Sequence, residues 1–323
     1  MKLVFCHESG LEWLRHRRSL GLETPKRARI TTLSDCACSQ KELSRFPLPE
    51  PLNRSDRLHI IAPNQNRQMR SSTHVCHVWN DKPPLGSLIK VNNGVFVPSP
   101  ELLFVQMATH LDFIDLILLG MELCGTYTMM GKNERSFVNC PAATTKAQLI
   151  AYVNRASGMH GRNIANKALR WVIAGSNSPA ESSLALFLTL SPRLGGYGMP
   201  QPSLNPKKQL GARATQLYGY DKMRCDLHWT KQHVVVEYSS SQEHLNPRSA
   251  AVDAKRANTL GYKRTTLLTV TPQMISHPTE FDAFVKQLAK ALRKRPSRQA
   301  FVLSSTRRDL REQLFPWLKG QLG

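Results

Sequence analysis

Two short apolar segments, residues 224–229 and 233–239, are separated by a polar turn and constrain the fold most. If Lys231 and Gln232 are the tip of a symmetrical hairpin, Asp226 lies directly opposite Glu237, and facing Cβ atoms are about 5 Å apart. Two facing carboxylates repel each other unless something compensates their charge. Hard oxygen donors on a rigid strand pair suit Mg²⁺ or Mn²⁺. The pattern therefore predicts a metal site at Asp226 and Glu237.

Two alternatives to this metal site stay open. Asp226 can cap the end of a strand, with Arg224 or His228 neutralising its charge. A turn of three or five residues would also shift the register, and a shift by one residue moves a side chain to the other face of the sheet.

The segments around this hairpin follow an α/β order. A helix is predicted in SPAESSLALFLTL before it, and SAAVDAKRANTLGY predicts another helix after it. The strand KRTTLLTVT and a basic amphipathic helix at about 280–294 follow.

The first half of the chain also mixes strands and helices. Period-two segments RLHIIAP, HVCHVW, GSLIKV and GVFVPS predict short strands. Helical spacing follows in SPELLFVQMATHL, with Ser99 as its cap and Pro100 in its first turn, and in LDFIDLILLGMELCGTY. Two further helices are predicted at roughly 145–157 and 161–173.

These patterns divide the chain into four segments. Residues 1–57 form an N-terminal segment of uncertain structure that ends in a linker, and LEWLRHRRSLG within it can form a short basic helix. Residues 58–175 form a smaller α/β domain with a helical extension. Residues 176–295 form a mixed sheet flanked by helices, and residues 296–323 form a basic C-terminal tail.

Net charge points to a polyanionic partner. The 44 Lys and Arg against 23 Asp and Glu give a formal charge of +21. Neutralising phosphates releases condensed counterions, so such a chain is expected to contact DNA, and contact with RNA stays open. The dense basic run Arg293, Lys294 and Arg295 is a predicted phosphate-binding segment.

Composition also predicts the compartment. The most apolar window contains Asp112, Asp115 and Glu122, so it reads as a buried helix and no membrane partner is expected. MKLVFCHESG has no long apolar stretch with a cleavage site, so no secretory signal is expected. Seven scattered cysteines suit reduced thiols, and a cytoplasmic location is predicted.

The acid-to-strand-glutamate pattern resembles the PD-(D/E)xK restriction-endonuclease-like superfamily. The succession SPAE, D, VVVEY, H, D..R.N and G over about 178–293 is similar to its very-short-patch-repair-like endonuclease branch. The resemblance implies a metal-dependent, DNA-cleaving fold with Asp226 and Glu237 as metal ligands. It further implies Glu181 as a helix-borne catalytic acid and His244 as a histidine that assists phosphodiester chemistry.

The same resemblance implies that Arg256 contacts a phosphate, with Lys255 beside it on the same helix. The chain departs from the pattern at Ser239, where the superfamily usually has Lys and this branch usually Asp. Ser239 carries no charge to hold a metal or activate water, although its hydroxyl can bind a phosphate. Lys255 or His244 could supply the missing group.

Each of these residues also has a purely structural interpretation. Glu181 stands three residues after Ser178, so S-P-A-E is equally a capping box. His244 can be an exposed loop histidine, and Asp253 with Arg256 can be a solvent-exposed helical pair.

Zinc ligands could also be present in the first half of the chain. HVCHVW, together with Cys36 and Cys38, offers potential zinc ligands. Alternation along a strand explains HVCHVW equally well, and no second well-spaced pair accompanies it.

The strands and the SPE helix of residues 58–124 resemble the C-terminal part of abortive-infection type IV antitoxins, which implies a possible cognate toxin as partner. The leading hypothesis is Mg²⁺- or Mn²⁺-dependent DNA endonuclease activity. The alternative is a nuclease-derived DNA-binding protein without catalysis, acting as an antitoxin or regulator.

Overall fold

The computed structural model describes residues 1–30, 32–55, 57–69, 71–79, 83–130, 136–209, 222–239, 265–302 and 304–318. Within these residues the fold is mixed α/β. Among the described helices, none combines the length and the apolar character that a membrane crossing requires.

The chain divides into two units, residues 1–172 and 173–323. The predicted boundary at 175/176 lies three residues further on. The two segments predicted to lie outside the domains are instead integral to the units. Residues 1–57 contribute a strand that pairs with residues 95 and 96, and residues 296–323 contribute a helix with a buried apolar face.

The first unit consists of short strands and helices. Its strands are β1 (Leu3–Val4), β2 (Arg27–Ala28), β3 (Leu58–Ala62), β4 (His74–Val78), β5 (Leu88–Asn92), β6 (Val95–Pro98), β7 (Tyr127–Met129) and β8 (Phe137–Asn139). Its helices are α1 (His7–Ser19), α2 (Gln40–Leu43), α3 (Pro100–Met107), α4 (Phe113–Leu123), α5 (Lys146–Arg155) and α6 (Arg162–Leu169).

One sheet of this unit has the strand order β1–β6–β5–β2, and β3 pairs with β4 in parallel. An isolated bridge between Phe5 and Ile60 joins the end of β1 to β3. Helix α1 packs on β3 and α3. Burial of Trp13 and Leu14 on its inner face fixes this helix, because transfer of large apolar side chains from water dominates folding.

The second unit is built around a four-stranded sheet, and β10 and β11 form a separate pair. The strands of the unit are β9 (Ser203–Leu204), β10 (Lys207–Gln209), β11 (Lys222–Arg224), β12 (Leu227–Trp229), β13 (Val234–Tyr238) and β14 (Thr266–Val270). Its helices are α7 (Pro179–Thr189), α8 (Pro272–Ser276), α9 (Pro278–Ala291) and α10 (Ser305–Leu314).

The sheet has the order β14–β13–β12–β9, with β12 and β13 antiparallel and β13 and β14 parallel. Phe187 of α7 contacts the rings of Tyr197, Phe281 and Phe315 at centroid distances of 5.2, 5.2 and 5.7 Å. This aromatic cluster joins α7 to α9 and to the end of α10.

The segment predicted as a basic tail at 296–323 contains a packed helix, because α10 contacts α7. Arg307 is 2% exposed, and its guanidinium donates to the carbonyls of Gly195 and Gly196 and lies over the Tyr197 ring. Leu310 and Leu314 are buried beside it. A charged side chain this deeply buried must find hydrogen-bond acceptors, which explains its partners.

Most of the predicted elements are confirmed. The four period-two segments are β3 to β6, and α3 begins after Ser99, whose hydroxyl accepts from the Leu102 amide. The basic helix of the N-terminal segment is α1. The helix predicted in SAAVDAKRANTLGY lies outside the described residues.

Candidate functional site

The β12–β13 hairpin has the predicted register. Leu227 lies opposite Val236, His228 opposite Val235, and Trp229 opposite Val234. Continued by one residue, this register sets Asp226 opposite Glu237 and on the same face of the sheet. The observed pairs end at Leu227 and Val236, one position short of the pair on which the predicted metal site depends.

The Asp226 side chain also caps the end of strand β13. Its Oδ2 accepts a hydrogen bond from the Tyr238 amide at 2.9 Å. The strand-capping alternative is thus correct for one oxygen of this carboxylate. The bond also fixes the side chain toward β13, where Glu237 lies half-buried.

Glu181 enters the site from the first turn of α7. The Ser178 hydroxyl accepts from the Glu181 amide at 3.2 Å, so the predicted N-cap is confirmed. The Glu181 carboxylate reaches one residue further back, where Oε2 accepts from the Asn177 amide at 2.9 Å and from the Asn205 side chain. The backbone N–H of Asn205 in turn donates to the backbone carbonyl of Asp226 at 3.1 Å. Asn205 therefore links the two acidic residues.

The surroundings of Glu181 disfavour its charged form. Burial, followed by the charge of Asp226, raises the pKa of the Glu181 carboxyl from 4.5 to about 7, although three hydrogen bonds lower it. Only 8% of Glu181 is exposed. A carboxyl group with a pKa near neutrality can hold or release a proton at physiological pH.

The three carboxylates do not form a tight triad. Within the described residues, the sets of three potential ligands whose donor atoms lie within 4.8 Å of one another all fall in the first unit. Glu181, Asp226 and Glu237 are therefore not such a set. The facing pair Asp226 and Glu237 remains the predicted ligand pair, with Glu181 beside Asp226.

The other predicted residues fall in three groups. His244, Lys255 and Arg256 lie outside the described residues. Arg293, Lys294 and Arg295 follow α9 directly, and all three are exposed. Ser239 follows β13, and its amide donates to the Val270 carbonyl of β14 at 3.0 Å.

We expect Glu181→Gln to change how stability depends on pH. Because the native pKa of Glu181 is raised, its stabilising contribution is complete below pH 4.5 and is lost as the pH rises to about 7. Glutamine cannot ionise, so the variant should gain up to about 3 kcal/mol relative to wild type between pH 4 and pH 8. Urea unfolding at several pH values measures this gain.

Glu312→Gln is the matched control, because Glu312 is an exposed carboxylate of α10 in the same unit. It should follow the wild-type pH profile. If the stability of Glu181→Gln depended on pH just as that of wild type does, the native pKa of Glu181 would not be raised.

A second group of potential metal ligands lies in the first unit, and only its HVCHVW segment was identified from the sequence. Donor atoms of Cys6, His7 and His77 lie within 4.8 Å of one another, and so do those of Glu8, His77 and His110. The clearest sequence signal was His77 in HVCHVW. Its partners start α1 and follow α3, so no local spacing could indicate them.

Two imidazoles of this group, those of His7 and His77, have lowered pKa values. Burial and the neighbouring histidines His77 and His110 lower the pKa of His7 to about 2. Burial and the charges of His59 and His110 lower the pKa of His77 to about 4.

Comparison of the chain with protein-family models, with curated proteins and with solved structures finds no match.

Proposed function

We propose that the second unit hydrolyses phosphodiester bonds of DNA with Mg²⁺ or Mn²⁺ held by Asp226 and Glu237. The observation that carries this proposal is the β12–β13 register, whose last pair is Leu227 with Val236. Extended by one residue, it would bring Asp226 opposite Glu237. Like charges in that arrangement are unfavourable, and a divalent cation removes the repulsion.

The arrangement of the elements supports a restriction-endonuclease-like core. Helix α7 precedes a mixed sheet in which β13 is antiparallel to β12 and parallel to β14, and α9 follows. The acidic residues lie at one end of the two central strands. This order is the one implied by the resemblance to the very-short-patch-repair-like branch.

The donor set fits a hard cation. Two carboxylates on paired strands offer oxygen ligands and leave positions for water and a phosphate oxygen. When bound, Mg²⁺ polarises the phosphate and lowers the pKa of a coordinated water. Glu181 can hold or release a proton at its carboxyl group near pH 7. His244 is proposed to assist the leaving oxygen.

DNA contact is assigned to the basic side chains. Arg293, Lys294 and Arg295 are exposed after α9, and Lys255 and Arg256 are proposed to join them. Such contacts set affinity and orientation and carry no sequence information. The net charge of +21 supports a polyanionic partner. A cytoplasmic location is proposed with this function, because all seven cysteines are free thiols.

The second candidate function is DNA binding without catalysis, as an antitoxin or regulator with a cognate toxin. Ser239 favours it, because the position two residues after the strand glutamate carries no charged group. This candidate predicts salt-sensitive DNA binding that is indifferent to Asp226→Asn.

A nicking assay separates the two candidates. Supercoiled plasmid is incubated with the full chain and Mg²⁺ or Mn²⁺ at several salt concentrations, with a chelator control and a parallel RNA substrate. The endonuclease proposal predicts metal-dependent nicking of DNA that the chelator abolishes. Gel retardation without nicking under any condition would support the second candidate and refute the first, and cleavage of RNA alone would correct the substrate class.

A further inference from the structure

Four histidines and a glutamate of the first unit lie close together, and three of the histidines, His7, His77 and His110, line a cavity. The His7 ring stacks on His77 with a centroid distance of 3.9 Å and lies 4.2 Å from His110. His59 Nδ1 lies 3.0 Å from His77 Nε2 and 2.7 Å from Glu8 Oε2.

Three parts of the fold deliver these side chains. His7 and Glu8 begin α1, and His7 adopts a left-handed backbone with φ of 46°. His59 and His77 come from the paired strands β3 and β4. His110 follows α3. A non-glycine residue in the left-handed region is uncommon and carries strain, which is characteristic of functional positions.

The distances suit metal coordination. A tetrahedral ion with bonds of about 2.0–2.1 Å separates its donor atoms by about 3.3 Å. The donor atoms of Glu8, His77 and His110 already lie within 4.8 Å of one another, so small side-chain rotations complete the set. Imidazole nitrogens favour zinc and its neighbours over Mg²⁺.

Among the residues that the structure describes, one buried nitrogen of the histidine cluster lacks a hydrogen-bond partner. His7 is 8% exposed, and its Nδ1 makes no hydrogen bond within the described residues. Such a buried polar atom is costly unless a partner is supplied. A cation beside the ring, with its coordinated ligands, would supply one.

We propose that Glu8, His77 and His110 bind a divalent transition-metal ion of the zinc class. Two histidines and one glutamate are a ligand set that leaves an open coordination position. His59 is a positioning residue, because its Nδ1–H donates to Glu8 and holds the carboxylate toward His77. Cys6, which is fully buried, and His7 form a second ligand group with His77 in the same cluster.

The cavity gives this ion access to a ligand. It has a volume of about 800 Å³, and His77 and His110 line it together with Arg57, His74 and His160. Trp79 and Met159 also line it, so the cavity offers both polar and apolar contacts to a ligand at the open position. The site differs from the carboxylate pair of the second unit in ligand chemistry and in its place in the chain.

Zinc binding by the full chain tests the proposal. Chelator-treated protein is titrated with Zn²⁺ against a chromophoric competitor, and Co²⁺ serves as a spectroscopic substitute. Wild type should bind one Zn²⁺ with a Kd below about 1 μM. His77→Ala and His110→Ala should each weaken binding at least about 100-fold. His59→Gln should weaken it about 10- to 100-fold with its thermal unfolding unchanged.

His160→Ala is the matched control, since His160 lines the cavity but belongs to neither ligand group, and it should bind as wild type does. Asp226→Asn should also retain full zinc affinity, which separates this proposal from the nuclease proposal.

Absence of zinc uptake by folded wild type would overturn the proposal. So would uptake that survives replacement of His77 and His110. A thiolate-to-cobalt charge-transfer band would assign the ion to the Cys6 group and refute the nitrogen–oxygen ligand set.

Discussion

Asp226→Asn is expected to reduce the rate of metal-dependent DNA nicking by at least about 1000-fold. Loss of the carboxylate removes one of the two proposed metal ligands, and the stabilisation that a bound cation gives to the transition state amounts to several kcal/mol. Asparagine retains a side-chain oxygen that can accept from the Tyr238 amide, so the hairpin should stay closed. Single-turnover nicking at saturating protein measures the rate.

Asp309→Asn is the control, because Asp309 is an exposed acidic residue of the same unit. It should cleave at the wild-type rate. DNA retardation should be equal for wild type and both variants. Equal nicking by Asp226→Asn and wild type would refute the assignment of the metal site.

The second large effect is expected in the first unit, at a buried ion pair. Glu122 is 3% exposed and accepts from Arg15 Nε at 3.0 Å and from Arg15 Nη2 at 2.6 Å. Thr128 Oγ1 and the Met129 amide donate to the same carboxylate. Arg18, also buried, lies 4.0 Å from it. Glu122→Gln would leave two guanidinium groups without a counterion and should destabilise this unit by about 3–5 kcal/mol.

The effect should depend on pH in a defined direction. Burial raises the pKa of Glu122, but the charge of Arg15 and its hydrogen bonds lower it more, so the native pKa is below the ordinary value. The ion pair therefore stabilises the unit above the ordinary pKa, and this contribution is lost as the pH falls through the native pKa. The difference in the free energy of unfolding between wild type and Glu122→Gln should therefore become smaller at acidic pH.

Glu50→Gln is the matched control for this variant. Glu50 and Arg54 form an exposed pair, with 58% and 78% of their side chains accessible. Such pairs contribute less than about 1 kcal/mol. Hydrogen exchange of the backbone amides of α1 at increasing urea concentrations reads out the first unit. If Glu122→Gln lowered the free energy of unfolding no more than Glu50→Gln does, the account of the ion pair would be contradicted.

The β12–β13 hairpin was predictable because its information is local. A polar turn centred on Lys231 and Gln232 separates two short apolar segments, and a symmetrical hairpin about that turn pairs Leu227 with Val236. Ser178 and Ser99 were identified as helix caps for the same reason, since capping depends on residues three positions apart.

The histidine cluster was not predictable, because it depends on distant pairings. Glu8 meets His77 and His110 only after β1 has paired with β6 and β3 with β4. The role of residues 1–57 was missed for the same reason. A two-residue strand such as Leu3–Val4 has no periodicity of its own and is defined by its partner.

The most direct test of the central claim is a crystal of the full chain soaked in Mn²⁺ and measured for anomalous scattering. The account predicts one Mn²⁺ in the second unit, bound by carboxylate oxygens of both Asp226 and Glu237 at about 2.1 Å. An ordered hairpin in which these carboxylates point to separate surroundings, with no anomalous peak between them, would contradict it.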